Sequence, residues 1–184
     1  MSEDVFTYRI DNTDTIVSVS DNFYTFAERN DWHGRWRPED VVGHSLWDFI
    51  QDRETQHLYQ ELFRRVRKGR RCRAIPFRCD SPDERRFLEL LLEALPDQQI
   101  AITSKIVRTE HRNRIRLLEA GTSRSTDYLT ICSMCKKIKM SAQHWAEIEE
   151  GLVQLRLFEA DDMPLLTHGV CPECYQVAMG ELDD

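Results

Sequence analysis

No apolar run in this chain approaches the length needed to cross a bilayer, and its first residues, Met1-Ser2-Glu3-Asp4, are acidic where a secretory leader would be basic. Both absences point to a cytoplasmic protein without a membrane partner, in a compartment where thiols stay reduced. A surplus of positive charge is missing too. The formal net charge is -7, which argues against a nucleic-acid partner. Residues 121–184 carry 11 acidic and 5 basic side chains, so most of the negative charge lies in the C-terminal third. The chain also lacks a nucleophile–histidine–acid arrangement, a phosphate-binding glycine loop and a kinase motif, so it does not read as an enzyme. What remains, 184 residues that are 41% apolar and 31% charged, suits a globular protein with one ordinary domain and a smaller one.

Against these absences stand four cysteines near the C-terminus: Cys132-x2-Cys135 and, after a gap of 35 residues, Cys171-Pro172-Glu173-Cys174. Two such pairs are the minimum with which sulfur alone can surround one tetrahedral ion, and Zn²⁺ favours four soft thiolates. The intervening stretch is longer than in compact zinc sites, so a helix or hairpin is expected inside it. A tetrathiolate zinc centre carries about -2 charge. Lys136 and Lys137, directly after the first pair, and the N–H groups of each turn can screen it. His168 reads as a neighbour of the ligands rather than a fifth ligand. The alternatives are a redox switch, an iron–sulfur cluster or buried thiols. Neither pair sits in a thioredoxin-like βαβ context, and lysine in place of histidine after Cys135 excludes covalent haem attachment through that motif. Cys72 and Cys79, expected on opposite faces of one strand, can share neither a metal nor a bridge.

The first hundred residues alternate in the manner of a sheet. Strands are expected over Phe6 to Ile10 and Thr15 to Val19, and a short helix after Asp21-Asn22 carrying Phe23, Tyr24 and Phe26. Residues 30–40, with Trp32, Gly34, Trp36 and Pro38, read as loop. Asp52 is a plausible N-cap for an amphipathic helix with Leu58, Tyr59, Leu62, Phe63 and Val66 on its apolar stripe and Gly69 at its end. Three further strands carry Ile75, Phe77 and Cys79; Leu88, Leu90, Leu92 and Ala94; and Ile100, Ile102 and Ile106. Ser81-Pro82-Asp83 and Pro96-Asp97 form the turns. Sheet strands with one apolar face need helices to cover them; the residues leave open whether side chains or a ligand fill the covered space, and Phe23, Phe26, Trp47, Phe49, Leu58, Leu62, Phe77 and Leu90 could fill it unaided.

This order of elements, with Val42-Gly43-His44-Ser45-Leu46-Trp47-Asp48-Phe49-Ile50 before the long helix, resembles the PAS sensory domain over roughly residues 5–107. The resemblance implies an α+β fold with a five-stranded antiparallel sheet, helices on one face and, in many members, a ligand between the two layers. Haem-binding members use a histidine from the helical region, which would make His57, or else His44, the iron ligand. The cysteine context of flavin photosensors is absent. Both cysteine pairs, Cys135-Lys136-Lys137-Ile138, Trp145 and His168-Gly169-Val170-Cys171-Pro172-Glu173-Cys174 resemble a C-terminal cysteine module of bacterial signalling proteins; the apolar stretch Leu152 to Met163 departs from that pattern.

The expected organisation is a PAS-like domain over 1–107, a helical or flexible connector over 108–126 and a metal-stabilised four-cysteine module over 127–184. The connector is read as a charged helix over 108–120 followed by a flexible break at 121–126, and a short helix is expected from Tyr175 to Leu182. Two functions follow. One is a signal-sensing or regulatory protein in which PAS-type ligand or partner binding is coupled to a zinc module, acting as a homodimer with a signalling partner. The other is a thiol redox or metal sensor in which the four cysteines are the input and the PAS-like domain is a dimerisation platform. The basic run Arg64 to Arg73 reads as a solvated helix end rather than a phosphate grip.

Overall fold

Asp11 turns the chain back on itself at the first hairpin. Its carboxylate accepts from the Thr13 N–H, the Thr15 N–H and the Thr13 hydroxyl at 2.8, 3.0 and 2.8 Å, a local turn that Asp forms readily. It joins β1 (Val5–Ile10) to β2 (Ile16–Val19). The computed structural model describes residues 5–24 and 38–181. Met1-Ser2-Glu3-Asp4, Phe26, the expected loop with Trp32, Gly34 and Trp36, and Leu182 lie outside the described residues.

A one-turn helix α1 (Pro38–Val41) leads to Gly43, whose φ of +90° suits glycine. There the chain is pinned to β2, because the Gly43 N–H donates to the Ile16 carbonyl and the Ile16 N–H to the His44 carbonyl, at 2.8 and 2.9 Å. Helix α2 (Arg53–Arg67) starts at Asp52, whose side chain accepts from the Thr55 N–H at 2.7 Å. It ends before Gly69, at φ +86°. Leu58, Leu62, Phe63 and Val66 are buried and Tyr59 is half-buried.

The remaining strands of the first sheet are β3 (Ile75–Arg78), β4 (Glu84–Ala94) and β5 (Ile100–His111). They complete a five-stranded antiparallel sheet in the order β2-β1-β5-β4-β3. Ile10, Ile75, Leu90, Leu92, Ile100 and Ile102 on its covered face pack with the α2 stripe into one core. Trp47, Phe49 and Phe77 lie half-buried against that core.

The expected helix over 108–120 is absent. Residues 108–111 continue β5, pairing with Phe87 to Glu84 of β4, and Arg108 stacks over Phe87 at 4.0 Å. An 11-residue β4 offers ladder partners along its whole length, and these outweigh the helical preference of the charged residues. Only a 3-10 turn follows, Arg116–Leu118. The expected flexible break is also partly ordered, since β6 (Arg124–Cys132) begins inside it. The Arg124 guanidinium donates to the carbonyls of Leu117, Glu119 and Pro164 at 3.0, 3.1 and 2.9 Å. Ile115 and Leu117 are buried in a second core with Leu129, Ile131, Ile138, Ile148, Leu152 and Met163.

The gap between the cysteine pairs holds β7 (Ile138–Lys139), β8 (Trp145–Ala146), α3 (Ile148–Gln154), a 3-10 turn (Leu157–Glu159) and β9 (Met163–Gly169). The second sheet runs β8-β7-β6-β9, with β9 parallel to β6. Helix α4 (Pro172–Gly180) closes the described chain and begins at the second cysteine pair, earlier than expected.

The two sheets are joined. Edge strand β3 would otherwise expose unpaired backbone groups. Instead the Arg78 N–H donates to the Met134 carbonyl at 2.7 Å, and just before the strand the Arg73 N–H donates to the Glu181 carbonyl at 2.8 Å. A set of charges, buried at Asp80 and half-buried at its far end, also bridges the sheets. Asp80 is paired with Arg78 at 2.5 Å and Arg112 at 3.1 Å. Arg78 reaches Glu147 at 2.8 Å, and Arg85 reaches Glu149 at 2.6 Å.

Candidate metal centre

Parallel pairing of β6 and β9 brings the cysteines together. Cys132, the last residue of β6, stands in register with Gly169, the last of β9, so each pair leaves the same end of two neighbouring strands. The Ser133 N–H then donates to the Gly169 carbonyl at 2.8 Å. In the first turn Lys136 takes a left-handed φ of +64°, the Lys136 N–H donates to the Cys132 carbonyl and the Cys132 N–H to the Lys137 carbonyl, at 3.0 and 2.8 Å. In the second, Cys171 caps α4 and Pro172 supplies a preset φ at its first position.

The four sulfurs lie within 4.8 Å of one another. Cys135 Sγ and Cys171 Sγ are 3.8 Å apart, close to the edge of about 3.8 Å that a tetrahedron with 2.3 Å zinc–sulfur bonds requires. All six cysteines are free thiols. Cys132 Sγ accepts from the Cys171 N–H, and Cys171 Sγ from the Cys174 N–H, each at 3.4 Å. Cys132 and Cys171 are 0% and 2% exposed.

Thiols packed this closely do not ionise together unaided. The Cys135 thiol, with those of Cys171 and Cys174, stabilises a Cys132 thiolate and pushes that group well down. Cys135 and Cys174 are both pushed up, first by Cys132; Cys171 and burial add to the effect on each, and Cys174 only partly offsets it at Cys135. A cation at the centre of the four removes this opposition to full ionisation. Soft donors, tetrahedral edge length and N–H groups directed at sulfur all suit Zn²⁺.

The predicted charge-screening lysines are both at the site. The Lys136 ammonium donates to the Ser133 carbonyl at 2.7 Å, while Lys137 pairs with Glu173 of the second turn at 3.2 Å and so ties the two cysteine loops together. His168 lies on β9, outside the sulfur cluster. His57 is exposed on the outer side of α2, its ring stacked on Tyr175 at 6.4 Å, and His44 is exposed in the loop after α1. Cys72 and Cys79 flank β3 rather than sharing it, apart from the cluster.

Sequence reasoning missed the contact between this centre and α2. Cys132, Met134, Cys171 and Ala178 belong to the same core as Leu58 and Leu62. Thr55, buried in the first turn of α2, donates to Ser133 Oγ at 2.7 Å, and Glu54 accepts from the Val170 N–H at 2.9 Å. Glu54 approaches so closely that a Cβ on Gly169 would lie 2.7 Å from its carboxylate oxygen. The available signal was Thr55 itself, a polar residue at a core position of the α2 stripe. Thr55→Val is expected to lower stability by about 1 kcal/mol in urea unfolding, the usual worth of one such bond, while leaving bound metal unchanged; an unaltered midpoint would remove that bond from the contact.

Among the described residues no helix is long and apolar enough to cross a membrane. No family model matches the sequence, and no curated protein matches it significantly. Among solved structures, the chain is similar to a domain of an HTR-like protein from Haloarcula marismortui, with 16% identity, a TM-score of 0.36, and coverage of 58% of this chain and 100% of that one. It is also similar to the photoactive yellow protein domain of the sensor histidine kinase Ppr from Rhodospirillum centenum, with 16% identity, a TM-score of 0.37, and coverage of 55% and 84%.

Proposed function

We propose that this chain is a cytoplasmic signal-sensing or regulatory protein, not an enzyme, in which a PAS-like sheet is coupled to a zinc ion held by Cys132, Cys135, Cys171 and Cys174. The observation that carries the reading is the placement of Cys132 and Cys171 in one core with helix α2. A displacement of α2 is then felt at the cysteine loops, and a change at the loops is felt along α2. Output passes to a signalling partner, with the chain acting as a homodimer.

Zinc holds the two loops in one arrangement. Thr55, Glu54 and the Lys137–Glu173 pair brace them from outside the sulfur cluster.

Protein purified without added metal is expected to contain about one zinc per chain, the content of a single tetrathiolate site, with no visible absorption. A Cys171→Ser, Cys174→Ser variant is expected to lose it. Iron with visible bands, or a metal-free wild type, would sink the zinc reading. Zinc that leaves after mild peroxide and returns on reduction would instead make the thiols the input.

A further inference from the structure

The apolar stretch over 152–163, which departs from the cysteine-module pattern, folds with one side open. On α3, Ile148 and Leu152 are buried in the second core, while Val153 is 64% exposed. Leu155 stands where the buried stripe would continue, but the helix ends at Gln154 and leaves Leu155 42% exposed. Arg156 then takes a left-handed φ of +54° and leads into the 3-10 turn, where Leu157 packs on the second core and Phe158 is 59% exposed. Single exposed apolar side chains are ordinary. Three between Val153 and Phe158, one of them aromatic, mark an interaction surface.

The charges around this surface have one predominant sign. Glu150, Glu159, Asp161 and Asp162 are exposed, against Arg156 as the one exposed cation between Ile148 and Met163. Glu149 is turned toward Arg85 and Arg112 of the first unit. Arg116 reaches the segment, but it donates to the carbonyls of Ala160 and Asp161 and to the Thr122 hydroxyl. Glu159, Asp161 and Asp162 form no ion pair among the described residues. A second copy placed here about a two-fold axis would set these carboxylates against their own images, and an anionic membrane surface would repel them. Helix and 3-10 turn offer side chains rather than a sheet edge, which disfavours an added strand. An apolar centre with an acidic rim matches an amphipathic helix whose polar face is cationic.

We infer that Val153, Leu155 and Phe158 seat a basic amphipathic helix of a partner protein, its apolar stripe on these three side chains and its Lys or Arg side chains on Glu159, Asp161 and Asp162. The inference names the docking surface for the signalling partner of the reading above and rests on that reading for its meaning in signalling. The surface lies between the two cysteine pairs in the chain, and α3 and the turn are anchored in the second core beside β6, the strand that ends at Cys132. A helix docked here therefore bears on the element that carries the first cysteine loop.

The test uses the full chain as purified and fluorescence anisotropy of labelled helical peptides, at about 0.15 M salt, where exposed charges more than about 8 Å apart are screened. The probe is a leucine–lysine peptide with leucines at i, i+3, i+4 and i+7. Its counterparts are a scrambled peptide of the same composition and a leucine–glutamate peptide of the same pattern. Saturable binding of the probe is expected, with both counterparts at least about tenfold weaker. Val153→Ser with Phe158→Ser should weaken it by about fivefold or more, as loss of central anchors does. Glu159→Gln with Asp162→Asn should weaken it more than Glu93→Gln with Asp97→Asn, which removes the same charge from the first unit. No saturable binding, equal binding of the scrambled peptide, equal effects of the two charge pairs, or unchanged affinity in the Val153→Ser, Phe158→Ser variant each overturns the inference. So does a change of oligomeric state in that variant by sedimentation, which would make this a surface between copies of the chain. Zinc content of the same samples separates the two readings. Zinc-loaded protein that ignores the probe sinks the docking surface alone, and zinc-free protein that binds it sinks the metal centre alone.

Discussion

Removing the metal with a strong chelator is expected to destabilise the entire chain in one step, not the C-terminal third alone. Cys132 and Cys171 are buried against Leu58 and Leu62, so loss of the ion would release two sulfurs inside the core that covers the first sheet and two at its edge. In zinc-finger peptides the metal supplies roughly 10–16 kcal/mol of apparent folding energy because almost nothing else holds them together. Here a second core around Ile131, Ile138 and Ile148 adds packing that such peptides lack, so a smaller loss of about 5 kcal/mol is expected. For a chain of this size that corresponds to roughly 10–20 °C in Tm. Calorimetry of metal-loaded and chelated protein, with amide exchange read at Ile102 in the first sheet and Ile131 in the second, checks both parts. Protection lost at Ile131 while Ile102 stays protected would mean the centre serves only its own module.

The cysteine cluster was legible because sulfur chemistry restricts itself. Two CxxC pairs in a chain expected to keep its thiols reduced leave few uses, and the structure brings those four cysteines within mutual reach. The first sheet was legible because the alternation of Leu88, Leu90 and Leu92 fixes one buried face. What failed was long-range. Nothing in Arg108-Thr109-Glu110-His111 says that β4 extends far enough to recruit them as strand, and their charge invited a helical reading. The parallel pairing of β6 with β9 spans the whole intervening subdomain and leaves no local mark. Buried charge was unreadable for a related reason. Arg78 and Arg112 look like surface residues in a chain rich in arginine, and only the fold reveals that both converge on Asp80. The basic run behaved as read in part, with Arg64 and Arg65 paired to Glu61 on the helix surface.

That convergence sets the second large effect, which falls on Asp80. Its side chain is 1% exposed, and those of Arg78 and Arg112 are 8% and 6% exposed. The three form a buried triad that reaches the second unit through Glu147 and Glu149. Asp80→Asn keeps the shape and removes the charge, leaving two guanidinium groups facing each other away from water. Loss of one partner from a buried ion pair costs about 3–5 kcal/mol, and urea unfolding is expected to show it; a loss below about 1 kcal/mol, typical of an exposed pair, would mean that water reaches the triad. Replacing Arg78, Asp80 and Arg112 together by Met, Leu and Met should recover much of the loss, since apolar packing often substitutes for a buried ion set. Glu149 adds a pH signature at the rim. Burial pushes its carboxyl up, but Arg85 and Arg112 outweigh this and hold it below the usual carboxylate range. A carboxylate whose folded pKa is depressed stabilises the fold above its unfolded value, about 4.3 for Glu. Its contribution is therefore present at neutral pH and lost as the pH falls below that value. Glu149→Gln should flatten the decline in stability below about pH 4.3 relative to wild type, and parallel declines in the two proteins would show that Glu149 contributes nothing to holding the sheets together.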